Sequence, residues 1–544
     1  MTDSDSTHAG SIRRRRFAQW VWLLVGLCLA LAWLAWAGHG IDQRNAKPWL
    51  ITASGWLVPV PSLTMIWLAA SAIFVLLSTM AWLLHTTDQV TNAIKLKPWL
   101  SVLIITVLAV SVRCVVISTW VPTLSDDHFR YRHDGHSVLA GEDVYSLLPQ
   151  DQHVRITPYG LTPAREPRRH QPDLLDRFSN IPFQPTVYLP VNQLTFALTA
   201  AVEKAVIRDN RLKPDEWPKP RNTAAWDLQL LQLSGDVRML PYRIVHTLAD
   251  VVTLFLLMAL LAHHGRSVWW AALYGLNPLV LIEVAGNGHL DPVGYVFVIA
   301  ALLAYAKKRE NVAAVMIGLG ILCKPLAALV LPALLLHQLR QADGATLWQK
   351  LRPNPWPTVR LIAVCALTVL LGFLPFAAGL TSLRATLGLV AQSYHFNGPL
   401  FDLLRWLALD GNSTPVRPIL GVLHVVVQIV IFTKAYRRNW PVAVTVMHAT
   451  TAFLIFSPQV YPWYVLWALA LIPLAWHAGT WLLSLTVLSS YSVWIVYRST
   501  GEWEQPNAVL LLAWVPVLVL SFWALFREER VTPKMLAVTT KVES

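Results

Sequence analysis

Long apolar runs recur from one end of this chain to the other, and they limit its fold more than any other feature. They measure about 17 to 22 residues, the length that a helix needs to cross about 30 Å of hydrocarbon. A backbone in lipid has to satisfy its own hydrogen bonds, which favours helices. With 55% hydrophobic and only 14% charged residues among 544, the composition excludes an ordinary soluble domain. The sequence therefore predicts an all-α polytopic membrane protein.

The formal net charge of +13 is the second constraint. A surplus of this size would suit a nucleic-acid-binding protein, but here Lys and Arg form short clusters between the apolar runs. Clusters in that position are typical of cytoplasmic loops, which set the orientation of a membrane protein. We therefore expect a membrane, and no nucleic acid, among the partners of this chain.

Placing every basic cluster in the cytoplasm predicts about fourteen crossings, with both termini cytoplasmic. The predicted crossings are 17–37, 65–84, 99–120, 241–262, 267–284, 291–306, 312–323, 326–338, 360–380, 418–434, 441–457, 462–476, 480–497 and 508–526.

The number of crossings depends on how two apolar runs are interpreted. The run 312–338 has cationic loops at both ends, so a single crossing would break the orientation rule, and we prefer a hairpin that turns at Lys324-Pro325. The run 187–206 is apolar enough to cross, yet it carries Glu203 and Lys204. Counting it as a crossing would invert every later loop, so we interpret it as a membrane-surface or re-entrant helix.

The threading brings five unusual segments to the outer face: Asp126 to Tyr145, Gly286 to Asp291, Lys324-Pro325, His395 to Pro399 and Ser457 to Tyr464. The first of them holds three carboxylates, Asp126, Asp127 and Asp134, directly after a membrane exit. A carboxylate tuned by its surroundings serves as a general base toward a sugar hydroxyl. A solvated charged loop would show the same composition, and this motif alone does not separate the two interpretations.

At this point the sequence resembles a known superfamily. The stretch Asp127 to Gly135, followed by Gly141 and Tyr145, is similar to the D-x-x-R-Y-x-W-D-G … G-x-N-P-Y signature of the GT-C integral-membrane glycosyltransferases, which use polyprenyl-phosphate sugars. Within that superfamily the chain resembles the bacterial polytopic mannosyltransferases. Further segments match in the same order: Pro185 to Pro190, Asn277-Pro278-Leu279, Asn287 to Asp291, Gly318 to Lys324 and Tyr461 to Tyr464.

The resemblance implies a role for each group of outer-face residues. Asp127 takes the position of the catalytic base, with Asp126 and Asp134 as neighbouring candidates. Lys324 and Arg130 are the candidates for the donor phosphate, although a snorkelling lysine and an Arg130 pair with Asp126 or Asp134 are the structural alternatives. The candidates for sugar or acceptor contacts are Asn287, His289, Asp291, Tyr188, His395, Asn397, Tyr461 and Trp463.

Two of these assignments have competing interpretations. The aromatic residues at Tyr461 and Trp463 also suit the aromatic belt at a membrane interface, which is the default for a chain with 26 Trp. His289 and Asp291 alone do not make a metal site, so we predict no metal ligand while leaving a divalent cation open as a cofactor.

The resemblance also divides the chain. It covers about 99–475, a GT-C-like core whose long outer loop spans 121–240. Two N-terminal transmembrane helices within 1–98 precede this core, and 476–544 adds C-terminal helices and a short cytoplasmic tail.

The resulting prediction is an inverting glycosyltransferase of the bacterial inner membrane with its active site on the periplasmic face. It would move a hexose, mannose by resemblance, from a polyprenyl-phosphate donor to a lipid or envelope glycan acceptor. A transporter or flippase is the main alternative, but it should show repeated halves with polar residues near the midplane. A polymerase or ligase that uses a lipid-linked glycan is the other, and it should need an Arg-rich outer loop rather than Asp127.

Overall fold

The computed structural model describes residues 20–34, 60–87, 97–122, 124–149, 154–157, 160–163, 175–176, 179, 181, 183–207, 235–344, 349, 354–408, 415–500 and 503–526. Helices dominate these residues, so the predicted helical bundle is confirmed. The sequence did not predict the short antiparallel hairpin, in which β1 (Val154–Thr157) pairs with β2 (Gly160–Pro163) in the 121–240 loop.

Seventeen longer helices are numbered here in chain order. They are α1 (Trp20–Leu34), α2 (Val60–Thr87), α3 (Pro98–Thr119), α4 (Asp127–Leu139), α5 (Pro190–Val206), α6 (Leu240–His263), α7 (Asp291–Ala306), α8 (Glu310–Ile321), α9 (Val330–Gln341), α10 (Trp356–Phe373), α11 (Leu380–Ser393), α12 (Pro399–Ala408), α13 (Val416–Arg437), α14 (Val442–Phe456), α15 (Ala478–Thr486), α16 (Val493–Thr500) and α17 (Asn507–Phe526).

Shorter helical turns join some of them. The 3₁₀ turns are Val237–Met239, Val268–Ala271, Pro325–Leu329, Leu374–Gly379, Pro462–Val465 and Val487–Ser492; the short α-helical turns are Ala272–Gly275, Pro278–Val280 and Leu466–Leu469; and Leu281–Gly286 is a π-helix.

Six stretches are long and apolar enough to span a membrane, and a seventh is formed if the bent pair Val268–Gly275 and Pro278–Gly286 counts as one span. The six are Met65–His85, Pro98–Thr119, Val237–His263, Trp356–Ser393, Val416–Arg437 and Asn507–Phe526. The protein is therefore a polytopic membrane protein. The number is below the predicted fourteen because several predicted crossings, such as α7, α8 and α14, are helices of only 12 to 16 residues.

The predicted hairpin at Lys324-Pro325 is present. Lys324 lies beside Asp291, where α7 begins, and His337 of α9 lies 3.0 Å from the hydroxyl of Tyr305, near the end of α7. The chain therefore runs along α7, returns through α8 and reverses again through α9. The physical cause is Pro325, which cannot continue the α8 hydrogen-bond ladder.

The basic loops meet at one end of the bundle, which we call the basic end. The contacts there are His263 to the carbonyl of Ala306 (3.2 Å), Arg266 to that of Leu474 (2.8 Å), Arg340 to that of Trp440 (2.8 Å), Arg360 to Glu310 (3.0 Å) and Lys434 to the carbonyl of Leu525 (2.5 Å). The opposite end, which we call the site end, carries the starts of α4 and α7 and the tip of the α8–α9 hairpin. The threading from basic clusters thus grouped these loops as the fold does.

Helix α5, the run interpreted as a membrane-surface helix, packs along α4 through a buried ionic cluster. The Glu203 carboxylate accepts hydrogen bonds from Arg132 at 2.9 Å, and its Oε2 is 2.8 Å from Nε2 of His136. Arg132 also contacts Asp176 at 3.2 Å. Because Glu203 is only 4% exposed, its charge is balanced inside the protein, and this cluster fixes the direction of α4. The relation of α5 to the membrane stays a prediction.

The helices outside the predicted core are packed into the same bundle. The Trp481 indole of α15 donates to Ser78 of α2 at 2.9 Å, and the same indole stacks on Phe74 with ring centroids 5.0 Å apart. Residues from α1, α2 and α17 share one apolar core with α6 and α7. The N-terminal and C-terminal helices therefore pack against each other as well as against the predicted core.

Candidate active site

Asp127 begins α4 at the site end, directly after the exit from α3. Ser125 Oγ accepts a hydrogen bond from the backbone N–H of Asp127 at 3.2 Å. The first turn of a helix favours a carboxylate because its N–H groups have no intrahelical acceptors. The side chain is 12% exposed, and the Tyr131 hydroxyl donates to its Oδ2 at 3.5 Å. Asp127 thus combines a position that favours negative charge with access from outside.

The turn from Asn287 to Asp291 faces the start of α4. Gly288 adopts a φ of +76°, and a Cβ at this position would lie 2.8 Å from Cγ of Arg243. Both the conformation and the space therefore require glycine. His246 Nδ1 lies 2.7 Å from the carbonyl oxygen of Gly288, so α6 also holds the turn by a hydrogen bond. The result is that His289 is aimed at Asp127.

The imidazole of His289 lies between two carboxylates and is 1% exposed. Its Nδ1 is 3.6 Å from Asp127 Oδ2, and its Nε2 is 3.4 Å from Glu283 Oε2. Trp463 stacks on the ring with centroids 3.8 Å apart. Burial, followed by the charges of nearby histidines and Lys324, lowers the pKa of His289 well below its usual range. The ring is therefore neutral, with one N–H and one acceptor nitrogen.

Sequence reasoning missed Glu283 and its partner Tyr491. Glu283 lies in Leu281–Gly286, a π-helix that was interpreted as part of an apolar crossing. A π turn holds one residue more than an α turn, which redirects the side chains that follow. The Tyr491 hydroxyl lies 2.7 and 2.8 Å from the two oxygens of Glu283, and Asn287 Nδ2 lies 3.5 Å from that hydroxyl. The signal that was available is a lone carboxylate inside an apolar run, which usually marks a functional position.

Lys324, at the tip of the α8–α9 hairpin, faces the same region. Its Nζ is 2.9 Å from Asp291 Oδ1 and 3.4 Å from the centre of the Tyr464 ring. Trp467 Nε1 donates to the same Asp291 oxygen at 2.6 Å. Burial lowers the pKa of Lys324, while the negative charges of Asp291 and Asp127 oppose that shift. Asp127 is thus within electrostatic reach of an ammonium group whose side chain is 24% exposed.

Four rings, with the His289 imidazole at one end, stack in a continuous row that we call the aromatic column. Phe396 stacks on Tyr461 with centroids 4.8 Å apart, Tyr461 on Trp463 at 4.6 Å, and Trp463 on His289 at 3.8 Å. Because each ring stacks on the next, the column forms one continuous wall. The structure thus joins Tyr461, Trp463 and His289, which the sequence singled out separately.

His395 and Asn397 support this wall. Asn397 Nδ2 donates to the carbonyl of Val460 at 3.2 Å, and its Oδ1 accepts from Trp514 Nε1 at 3.0 Å. His395 Nε2 lies 3.1 Å from Arg405 Nη1. These bonds hold the loop that carries Phe396 rather than contact Asp127. The sugar contacts predicted for both residues stay predictions.

Asp134 is also placed differently from its prediction as a base. Its Oδ1 accepts from Arg130 at 2.9 Å and lies 3.2 Å from His133 Nδ1, while Gln193 donates to Oδ2 at 3.1 Å. Burial alone would raise the pKa of Asp134, but Arg130 and His133 lower it to about 2. With 1% exposure, this carboxylate is an internal counterion. The structural alternative for Arg130, a pair with Asp134, is the one observed.

Arg130 nevertheless has one hydrogen-bond donor atom that its pair with Asp134 does not use. Its Nη2 is buried and has no hydrogen-bond partner among the residues that the structure describes. The charges of both Arg130 and Asp127 act on the Tyr188 hydroxyl, so Tyr188 is close to the Arg130 guanidinium and to the site. Its ring packs edge-on against Tyr131 with centroids 5.2 Å apart. Asp126, the N-cap residue of α4, is half-buried, and its negative charge acts on the Tyr461 hydroxyl.

The described part of the chain contains no group of three or more His, Cys, Asp or Glu side chains arranged to hold a metal ion. His289 and Asp291, the pair considered from the sequence, have other neighbours. His289 lies between two carboxylates, and Asp291 accepts hydrogen bonds from Lys324 and Trp467.

Comparisons with known proteins find similarity to mannosyltransferases. Residues 224–340 match the family model described as alpha-(1->6)-mannopyranosyltransferase, N-terminal domain. The chain is also 24% identical over 266 residues to alpha-(1->6)-mannopyranosyltransferase A of Mycobacterium tuberculosis. This match covers 44% of the chain and 48% of the relative, about half its length. No solved structure matches.

The resemblance predicted from the motifs is thereby confirmed. The matched family segment contains the turn from Asn287 to Asp291 and Lys324, but Asp127 lies outside it.

Proposed function

We propose that this protein, which carries a segment of the alpha-(1->6)-mannopyranosyltransferase family, transfers a mannosyl residue from a polyprenyl-phosphate donor to a lipid or envelope glycan acceptor. One observation supports this most directly. A partly exposed carboxylate, Asp127, and a partly exposed ammonium group, Lys324, open at the same end of a membrane bundle. The reaction needs a base for the acceptor hydroxyl and a cation for the donor phosphate, both in one site.

The chemistry follows from these two groups. Asp127 accepts the proton of an acceptor hydroxyl, and the hydroxyl oxygen forms a bond to the anomeric carbon of the donor. The bond from that carbon to the phosphate oxygen breaks on the opposite side, so the centre inverts and a β-linked donor gives an α-linked product. The electron pair stays on the polyprenyl phosphate, an anion that needs little acid assistance to leave.

The leaving phosphate gains negative charge, and the cations of the site offset it. Lys324 supplies a point charge, and Arg130 has a buried Nη2 that can donate to a phosphate oxygen. In the free protein Asp291 balances Lys324, so the site does not hold an isolated ammonium in apolar surroundings. The donor phosphate would share that cation.

We further propose that the site end faces the periplasm and that the termini are cytoplasmic. The support is the collection of basic loops at the opposite end, because such loops stay in the cytoplasm. With the shorter and broken helices included, the path through the membrane would have about fourteen crossings.

The direct test uses purified full-length protein with labelled polyprenyl-phosphate-mannose and a membrane-extract acceptor. We expect release of polyprenyl phosphate, which Asp127→Asn should abolish because an amide cannot accept the hydroxyl proton. Asp126→Asn is the matched control, since the neighbouring carboxylate of Asp127 is the one that faces His289. Normal turnover by Asp127→Asn would refute the mechanism. Release only from glucose or arabinose donors would keep the reaction class and replace the sugar.

A further inference from the structure

His289 has an unusual environment for a buried imidazole. It is 1% exposed, and neither ring nitrogen has a hydrogen-bond partner among the described residues. Each nitrogen instead faces a carboxylate oxygen with which it forms no hydrogen bond, Asp127 Oδ2 at 3.6 Å and Glu283 Oε2 at 3.4 Å. A buried polar group left in this way costs free energy, so a small shift that closes either contact is favourable.

Packing and backbone contacts hold the ring between the two carboxylates. Trp463 covers one face at 3.8 Å with the planes 17° apart. The backbone N–H of His289 donates to the carbonyl of Glu283 at 2.9 Å, which ties both residues to one turn. The hydroxyl of Tyr491 holds both oxygens of Glu283. A shift of the ring along the line of the three groups would shorten one of its two carboxylate contacts.

The neutral ring has one N–H, and the charges around it decide where the N–H points. A partly exposed carboxylate in the first turn of α4 is the stronger acceptor, so the N–H belongs on Nδ1, toward Asp127. Nε2 is then an acceptor, and Glu283 serves it as a donor when it carries a proton. Catalytic hydrogen bonds are often long in a free enzyme and shorten when substrate is bound.

We propose that His289 is a positioning residue for the base. It donates Nδ1–H to Oδ2 of Asp127 and so orients the carboxylate that accepts the acceptor proton, while Glu283 selects this tautomer from the other side of the ring. The inference rests on the proposed function. It assigns His289 to the base itself rather than to contacts with the sugar.

Other ionisable groups face the same residues and have to be accounted for in any pH experiment. Tyr131 faces Asp127; His128, His246 and Lys324 act on His289; and Asp291 and Asp127 act on Glu283. None of them is altered by the substitutions below.

Two substitutions of His289 separate positioning from packing. His289→Asn places an amide N–H near the position of Nδ1, whereas His289→Phe keeps a ring on Trp463 and removes both nitrogens. Without the donor, the carboxylate is harder to ionise, so the acid limb of the kcat–pH profile moves to higher pH in His289→Phe. We expect turnover at neutral pH to fall by about 10- to 100-fold in His289→Phe, with a smaller loss and an unmoved limb in His289→Asn.

The experiment measures both profiles in full-length protein with polyprenyl-phosphate-mannose, alongside thermal unfolding in detergent. A His289→Phe profile that superimposes on that of the wild type overturns the inference. A uniform loss in both variants with no movement of the limb also overturns it, because that pattern indicates packing alone. Absence of turnover in the wild type is a different result, since it refutes the proposed function.

Discussion

The Lys324–Asp291 pair gives the sharpest test of the site because its role in stability and its role in donor binding can be separated. The two atoms are 2.9 Å apart, and at an effective dielectric constant of about 20 unit charges at that distance attract by about 6 kcal/mol. Desolvation cancels part of this, and breaking a buried pair costs about 3–5 kcal/mol. Because Lys324 is 24% exposed, we expect the lower value, about 3 kcal/mol, for Lys324→Met.

The double variant Lys324→Met with Asp291→Asn should recover most of that stability, because no unpaired carboxylate remains. It should not recover donor binding. A charge-assisted bond to phosphate contributes about 1.5–3 kcal/mol, so KM for the donor should rise by roughly 10- to 100-fold in both variants. Lys307→Met, an exposed site near the basic end, is the matched control and should change neither quantity appreciably.

Denaturant unfolding in detergent gives the first quantity, and initial rates of polyprenyl phosphate release give the second. A wild-type KM in the stable double variant would refute Lys324 as the phosphate ligand. Wild-type stability of Lys324→Met would refute the argument from the buried pair.

Two further substitutions test how the site is held. Gly288→Ala should lower turnover and stability because its Cβ would meet Arg243 at 2.8 Å, whereas Gly265→Ala has a similar positive φ with nothing within 4 Å and should cost only about 1 kcal/mol; equal effects on turnover would count against the clash. Glu203→Gln should lower the free energy of unfolding by about 3 kcal/mol, since Arg132 then lacks one of its buried anions, and an unchanged thermal transition would show that the cluster does not stabilise α4.

The sequence predicted the grouping of the site better than the role of each residue. Basic loops set the direction of every helix, so the start of α4, the turn at Asn287 and the tip at Lys324 were assigned to one end before any contact was known. That inference depends only on charge in the loops, which is local information. The hairpin at Pro325 was equally local, because proline acts on its own helix.

The partners that buried charges have on other helices could not be predicted in the same way. Asp134 was a candidate base because it stands in the same motif as Asp127, but Gln193 from α5 and the adjacent Arg130 enclose it. Glu283 was overlooked because a π-helix does not show in apolar periodicity. The Gln193 contact depends on which distant helix packs alongside α4, and a single sequence does not show that packing.

The loop behind the aromatic column depends on a helix far along the chain. Asn397 holds the column by bonding Val460, but Trp514 of α17 in turn holds Asn397. During synthesis Asp127 is therefore made long before Trp514, the residue that holds Asn397. A growing chain that has inserted its earlier helices but not α17 lacks the Trp514 bond to Asn397, so its aromatic column is less firmly held. On the proposed function, we expect such a chain to bind the donor poorly.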